Sequence, residues 1–175
     1  MESIGGASST VQAGAVVAVL TFAYLAVASV RLARADLRRH VLPNAIVVPA
    51  FLVGAVGLSA SAVLAGAPAR LAVAGAGAVG MFVLYLVLAG PGGMGFGDVK
   101  LAGVLGLFLG YLGWTPLVVG AVAAFVLGGG YAMLLLGARR ATGDSGIPFG
   151  PWMLAGAWLA IVAAPVLRVP ILDSG

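Results

Sequence analysis

Long apolar stretches follow one another along the chain, separated by short polar, charged or glycine-rich segments. Most of them are close to the ~20 residues that an α-helix needs to cross a bilayer. They lack the alternating polarity that is typical of a transmembrane β-barrel. The pattern predicts an all-α, polytopic membrane protein with about six transmembrane helices in a single domain, residues 1–175. The predicted spans are Val11–Val30, Leu42–Leu64, Leu71–Ala89, Val99–Gly113, Pro116–Leu136 and Pro151–Leu167.

Polar or charged segments lie on both sides of the first predicted span and mark its ends. Met1–Thr10 is polar but contains no Lys or Arg, so it lacks the basic region of a signal peptide, and we expect a frayed external end. The charged loop Arg31–His40 follows the span. Pro43 then suits the first turn of the second helix, where its missing N–H removes no hydrogen bond.

The composition supports a membrane protein and excludes several kinds of site. Apolar residues make up 62% of the chain and charged residues 8%, and the mean hydropathy is +1.18, which leaves too little polar surface for a soluble globule. The absence of cysteine excludes disulfides, zinc-thiolate sites and cysteine nucleophiles. One histidine and scattered acids do not have the spacing of a metal site, so we expect no metal and no cofactor.

The basic residues are distributed unequally between the two sides of the predicted bundle. Seven of the nine lie on one side, which the positive-inside rule makes cytoplasmic, and both termini are then external. This topology, in a protein surrounded by membrane lipid, accounts for the sequence pI of about 10.1 without a nucleic-acid partner. The seven are Arg31, Arg34, Arg38, Arg39, Lys100, Arg139 and Arg140, and the other two are Arg70 and Arg168.

Acidic residues are rare enough to be considered one by one. Glu2 and Asp173 lie in the terminal tails, and Asp144 lies in a Gly- and Ser-containing segment typical of a solvated turn. Asp36 and Asp98 remain, each within a few residues of a predicted span. Two carboxylates brought together at a membrane border can share one proton. The ionised one can then take a proton from water while the other polarises a carbonyl, which is the chemistry of an aspartic protease.

Structural roles are also open for both aspartates. Asp98 precedes the predicted fourth helix and could be its N-cap, accepting a backbone N–H and meeting the positive end of the helix dipole. Asp36 could form a helical ion pair with Arg39 or His40, three and four residues later. Capping and catalysis are compatible at Asp98.

A glycine-rich run directly precedes Asp98. Gly95 and Gly97 either form a flexible loop or allow a close backbone approach that brings Asp98 against a neighbouring helix. The predicted span that follows, Val99–Gly113, is about 22 Å long, shorter than the ~30 Å hydrocarbon core. We therefore expect this loop to dip below the headgroups, surrounded by protein.

Glycines also recur along the fourth span itself. They are spaced by three or four residues, so they share one helix face, and two of them form a GxxxG pair. Such a face predicts close packing against another helix of the same chain, although homodimers use the same pattern, so a homo-oligomer stays open. These glycines are Gly103, Gly106, Gly110 and Gly113.

Three motifs resemble those of one family. Gly95-Phe96-Gly97-Asp98 resembles the GxGD signature of the type IV prepilin peptidases, which belong with the GxGD membrane aspartic proteases. Asp36, followed seven residues later by Pro43, is similar to the family's first catalytic aspartate with its trailing Leu-Pro-Asn or Leu-Pro-Asp. The motifs occur in the family's order and, with six spans, cover nearly the whole chain. The third motif is Ile147-Pro148-Phe149-Gly150-Pro151.

The resemblance implies that Asp36 and Asp98 are the catalytic dyad. It implies a substrate as well, the N-terminal leader of a pilin-like precursor, cut at the cytoplasmic face of a prokaryotic plasma membrane. Larger members carry an additional cysteine-containing cytoplasmic domain and methylate the product, so this chain is similar to the peptidase-only members of Tad/Flp pilus systems and methylation is not expected. The residues implied to bind substrate or shape the site are Pro43, Asn44, Gly95, Gly97 and Lys100.

Several points stay open at the level of sequence. Lys100 could favour the ionised dyad or snorkel as a membrane anchor. The two aspartates could also serve a small ion or proton transporter, or belong to a noncatalytic pilus-assembly protein. Repeats with broken helices, which would favour a transporter, are not seen. The precursor, the oligomeric state, the organism and the separation of Asp36 from Asp98 do not follow from the sequence.

Overall fold

The computed structural model describes residues 2–92, 95–137 and 148–166. These ranges form six α-helices and contain no strand, which confirms the predicted all-α class. The predicted loop before Asp98 includes residues 93 and 94, which lie outside these ranges, and so do residues 138–147 between the fifth and sixth predicted spans. The helices are α1 (Glu2–Arg39), α2 (Asn44–Leu64), α3 (Ala69–Gly92), α4 (Phe96–Leu112), α5 (Trp114–Gly137) and α6 (Gly150–Ala163).

Helix α1 is longer than the first predicted span, and this corrects two expectations. Its 38 residues include the leader from Glu2, expected to be frayed, and the charged segment to Arg39, expected to be a loop. Arg, Leu and Ala dominate residues 31–39 and are strong helix formers, so the helix continues past the apolar stretch. The chain turns at His40, whose φ is 51°. Pro43 is the N-cap of α2, with extended φ −67° and ψ 128°, rather than a residue of its first turn.

Four helices, α1, α2, α3 and α5, are long and apolar enough to cross a membrane. The other two are shorter, with 17 residues in α4 and 14 in α6, so the predicted count of six spans is approximate. Every residue of α4 from Leu101 to Tyr111 is buried, because α4 packs mainly against α3 and also contacts α2, α5 and α6. Protein rather than lipid surrounds α4, so the bilayer thickness does not set its length.

The glycine face of α4 packs against α3, as predicted. A Cβ at Gly106 would overlap the carbonyl oxygen of Gly77, and a Cβ at Gly110 would lie 2.5 Å from the carbonyl oxygen of Val73. Small residues therefore let the two backbones approach closely. Gly113 is the C-cap of α4 with φ 127°, a conformation that L side chains rarely adopt.

A buried polar contact fixes the end of α4 that is remote from Asp98. The Ser61 hydroxyl of α2 donates to the carbonyl oxygen of Gly14 in α1 at 2.7 Å, and it lies 2.7 Å from the Tyr111 hydroxyl of α4. Since Ser61 has a single proton, Tyr111 is the donor of the second bond. Asp98 and Tyr111 are separated by about 20 Å along the helix axis.

Candidate active site

Asp36 lies in the last turns of α1 and is 5% exposed. The backbone N–H of Gly150, the first residue of α6, donates a hydrogen bond to Asp36 Oδ2 at 3.1 Å. The first N–H groups of a helix have no partner within the helix and carry partial positive charge, so they suit a carboxylate. A Cβ at position 150 would lie 2.7 Å from the same oxygen, and glycine is therefore required for this close approach.

Asp98 is the third residue of α4 and is partly buried. Gly95 is the N-cap of this helix and has no side-chain capping bond, so the proposal that Asp98 is the N-cap is wrong. The Asp98 carboxylate instead reaches back to the backbone N–H of Gly95. This is half of a capping-box arrangement, in which an acidic side chain at the third helical position binds the N-cap N–H.

Leu42 connects the surroundings of the two aspartates. Its side chain is buried and lies between the start of α4 and the start of α6. A Cβ at Gly97 would be 3.0 Å from Leu42 Cβ, and a Cβ at Gly150 would be 3.5 Å from Leu42 Cδ2. The structure thus brings the glycine before Asp98 and the glycine that binds Asp36 against one apolar side chain. Gly97 allows this close approach, but Leu42 lies in the connection between α1 and α2, not in a neighbouring helix as one interpretation of the glycine-rich run expected.

The electrostatic environment of Asp98 favours its neutral form. Asp98 lies outside the four helices that are long enough to cross a bilayer. Burial first, and the Asp36 carboxylate second, raise the pKa of Asp98 to about 6, while the hydrogen bond from Gly95 lowers it. A like charge affects a pKa only when it is near, so this effect indicates that the two aspartates are neighbours.

Lys100 and Asn44, two further residues expected at the site, contact each other. Lys100 Nζ donates to Asn44 Oδ1 at 2.9 Å and lies 5.1 Å from the centre of the Phe96 ring. The contact joins the start of α4 to the start of α2, since Lys100 lies two residues after Asp98 and Asn44 directly follows Pro43. The hydrogen bond from Lys100 to Asn44 therefore positions the start of α2 beside the site.

Tyr85 is a neighbour of the site that sequence reasoning missed. It lies in α3, is 0% exposed, and interacts electrostatically with Asp98. Its hydroxyl has no hydrogen-bond partner within the described part of the chain. In the sequence Tyr85 is one residue inside a long apolar span, and nothing in the pattern there distinguishes it from an ordinary core aromatic.

The chemistry available at this corner is that of two close carboxylates. Within residues 2–92, 95–137 and 148–166, no group of three or more His, Asp or Glu side chains is placed to hold a metal ion. Two carboxylates that interact can share one proton and exchange it with a bound water, which provides a general base and a general acid in one site.

Comparisons with known proteins identify the family to which the chain is similar. Residues 19–133 match the type IV leader peptidase family. A prepilin leader peptidase/N-methyltransferase of Xanthomonas campestris pv. campestris is 35% identical over 131 residues, which cover 71% of this chain and 43% of that protein. The proteins of the same name from Stutzerimonas stutzeri and Pseudomonas putida are 30% and 29% identical, covering 86% and 85% of this chain and 50% and 51% of their own lengths.

The chain thus spans about half the length of these curated relatives. No solved structure matches it.

Proposed function

Because the chain belongs to the type IV leader peptidase family, we propose that it is an aspartic endopeptidase that removes the N-terminal leader from type IV pilin-like precursors. The relatives' names provide the substrate class. The aspartic mechanism, with Asp36 and Asp98 as the catalytic residues, is our inference from the site. The active domain comprises residues 1–175, and no cofactor takes part in the reaction.

The observation that carries the proposal is the electrostatic interaction between two carboxylates that separate helices support. Asp36 is held by the N-terminus of α6, and Asp98 by the N-terminus of α4. Burial first and the Asp36 carboxylate second raise the pKa of Asp98 to about 6, which makes Asp98 able to gain and lose a proton near neutral pH. A purely structural acid at a helix N-terminus would not need a second carboxylate beside it.

The reaction follows from one proton shared between the pair. The ionised carboxylate takes a proton from water as the water oxygen bonds to the scissile carbonyl carbon, and the protonated carboxyl hydrogen-bonds the carbonyl oxygen. The C–O double bond becomes a single bond in the tetrahedral intermediate. When the intermediate collapses, the C–N bond breaks and the leaving nitrogen takes a proton from the pair, so one water is consumed and both aspartates are restored.

The proposed location is the cytoplasmic face of a prokaryotic plasma membrane, with the protein in contact with lipid. Basic residues at the end of α1 support this orientation through the positive-inside rule. The same residues could attract an acidic segment of the precursor or anionic lipid headgroups to the site. Pro43 and Asn44 at the start of α2, with Gly95, Gly97 and Lys100 at the start of α4, would shape the site for the extended substrate.

The test is coexpression of the chain with a panel of pilin-like precursors from a genome that encodes it. Shortening of a precursor is followed by mass spectrometry in the wild type, Asp36→Asn and Asp98→Asn. Each substitution preserves shape but removes the exchangeable proton, so cleavage should be lost in both. Asp144→Asn, an acid-to-amide change in a predicted solvated turn, is the matched control and should cleave normally. Cleavage by either dyad variant would contradict the aspartic mechanism.

A further inference from the structure

The Tyr85 hydroxyl is an unused hydrogen-bond donor in the interior. Tyr85 is fully buried, and its ring packs against Phe125 at 5.4 Å and Phe149 at 6.3 Å between ring centroids. The hydroxyl itself has no partner in the described ranges. Most buried side-chain polar atoms are hydrogen-bonded, because leaving a donor without a partner costs the free energy of removing it from water. An exception of this kind calls for a functional explanation.

The register between α3 and α4 places Tyr85 at the level of the start of α4, where Asp98 lies. These helices run antiparallel, and Gly110 faces Val73 while Gly103 faces Phe82. Moving one further turn along each helix brings Tyr85 opposite Val99, the residue after Asp98. The electrostatic interaction between Asp98 and Tyr85 is consistent with this register.

Tyr85 is also connected to the surroundings of Asp36. Its ring contacts Phe149, the residue before Gly150, whose N–H binds the Asp36 carboxylate. Phe149 contacts Phe125 as well, at 5.6 Å between centroids, so three rings form one aromatic cluster. The cluster limits the positions that the Tyr85 ring can take, and it connects this ring to the start of α6, which binds Asp36.

We propose that the Tyr85 hydroxyl is a catalytic hydrogen-bond donor to the scissile carbonyl oxygen when that oxygen becomes negative in the tetrahedral intermediate. The inference rests on the proposed peptidase function. A donor that lacks a partner in the free protein gains one only as substrate reacts, so its hydrogen bond contributes to the transition state rather than to the resting fold. Tyr85 keeps its proton throughout, and the proton transfers remain those of the aspartate pair.

The chain offers a matched control for the substitution Tyr85→Phe. Tyr111 is also a buried tyrosine of this bundle, but its hydroxyl is hydrogen-bonded to Ser61 and lies at the other end of α4. Tyr111→Phe should therefore lower the unfolding temperature and leave kcat unchanged. Tyr85→Phe should keep or raise the unfolding temperature, because it removes a donor without a partner, and should lower kcat about 100-fold with KM unchanged.

The experiment measures kcat and KM for precursor cleavage, and thermal unfolding in the same detergent, for the wild type, both tyrosine variants and Asp98→Asn. An unchanged kcat in Tyr85→Phe, with Asp98→Asn inactive, would overturn the role of Tyr85 and leave the peptidase function intact. A loss of kcat that accompanies a fall in unfolding temperature as large as that of Tyr111→Phe would show a structural role and overturn it too. Absence of cleavage by the wild type across the precursor panel would overturn the peptidase function and this inference together.

Discussion

The backbone N–H of Gly150 donates a 3.1 Å hydrogen bond to Asp36 Oδ2, which joins the first turn of α6 to the last turns of α1. The contact spans 114 residues of sequence. It explains how a charged residue that is 5% exposed is tolerated, since a helix N-terminus provides both a donor and partial positive charge. The position of Asp36 therefore depends on a residue without a side chain.

Gly150→Ala should lower the rate of precursor cleavage at least 10-fold. A Cβ there would lie 2.7 Å from Asp36 Oδ2, so the carboxylate must shift from its hydrogen-bonding position, and a small misplacement of a catalytic group costs rate. Gly129→Ala is the matched control, because Gly129 lies in α5 with open space around its Cβ position. Cleavage rates and unfolding temperatures of both variants provide the measurement. Equal cleavage rates in the two variants would contradict the positioning role of Gly150.

The stability of the protein should fall as the pH rises from about 4 to about 6. In the folded state the pKa of Asp98 is raised to about 6 from its ordinary value of 3.8 in the unfolded chain, mainly by burial and then by Asp36. Between these values the folded state binds more protons than the unfolded state, so raising the pH favours unfolding. Asp98→Asn removes this contribution.

Thermal unfolding of the wild type and Asp98→Asn across pH 4 to 7 provides the test. We expect the two curves to converge near pH 4, and the variant to be the more stable protein near pH 7. Parallel curves over the whole range would show that Asp98 does not titrate in this interval.

Asp36 and Asp98 could be selected from the sequence as candidate catalytic residues, because acidic residues are rare in this chain and only these two lie near predicted spans. The glycine face of α4 was predictable for a similar reason, since three- and four-residue spacing determines a helix face by itself. Tyr85 and the N–H of Gly150 could not be found in this way. Their roles depend on the register of α3 against α4 and on the position of α6 against α1, and an apolar pattern with small residues on many faces does not determine either.

Alanine substitutions at Gly103 and Gly106 should have different effects on stability. A Cβ at Gly106 would overlap the Gly77 carbonyl, so both backbones would have to move, whereas a Cβ at Gly103 would make an ordinary 3.5 Å contact with Phe82. We expect Gly106→Ala to cost about 1 to 3 kcal/mol of unfolding free energy and Gly103→Ala to cost nothing or to stabilise slightly. Denaturant or thermal unfolding in matched detergent measures the difference. Equal stability in both variants would mean that α3 and α4 are not as closely packed as Gly77 and Gly106 indicate.

The contact between Lys100 and Asn44 should contribute little to stability. The 2.9 Å hydrogen bond lies at the exposed start of two helices, where water competes for both groups. A double-mutant cycle with Lys100→Met and Asn44→Ala should give a coupling energy below about 1 kcal/mol.

If Lys100 favours the ionised form of the aspartate pair, Lys100→Met should shift the pH dependence of cleavage to higher pH, while Asn44→Ala should not. An unchanged pH profile in both variants would leave Lys100 as a positioning residue of α2.

The cytoplasmic orientation of the site can be tested directly, because the chain contains no cysteine. Leu37, one residue after Asp36, is 60% exposed, and Ala69 is exposed at the start of α3, at the opposite end of the bundle. In a cell with the proposed topology, a membrane-impermeant maleimide should label Leu37→Cys in inverted vesicles and Ala69→Cys in intact spheroplasts. The reverse result would place the two aspartates on the external face and exclude cleavage of a precursor on the cytoplasmic side. The orientation should be set mainly by the basic residues at the Leu37 end of α1, which are Arg31, Arg34, Arg38 and Arg39. Moving them across the membrane is costly, so this end should stay on the cytoplasmic side.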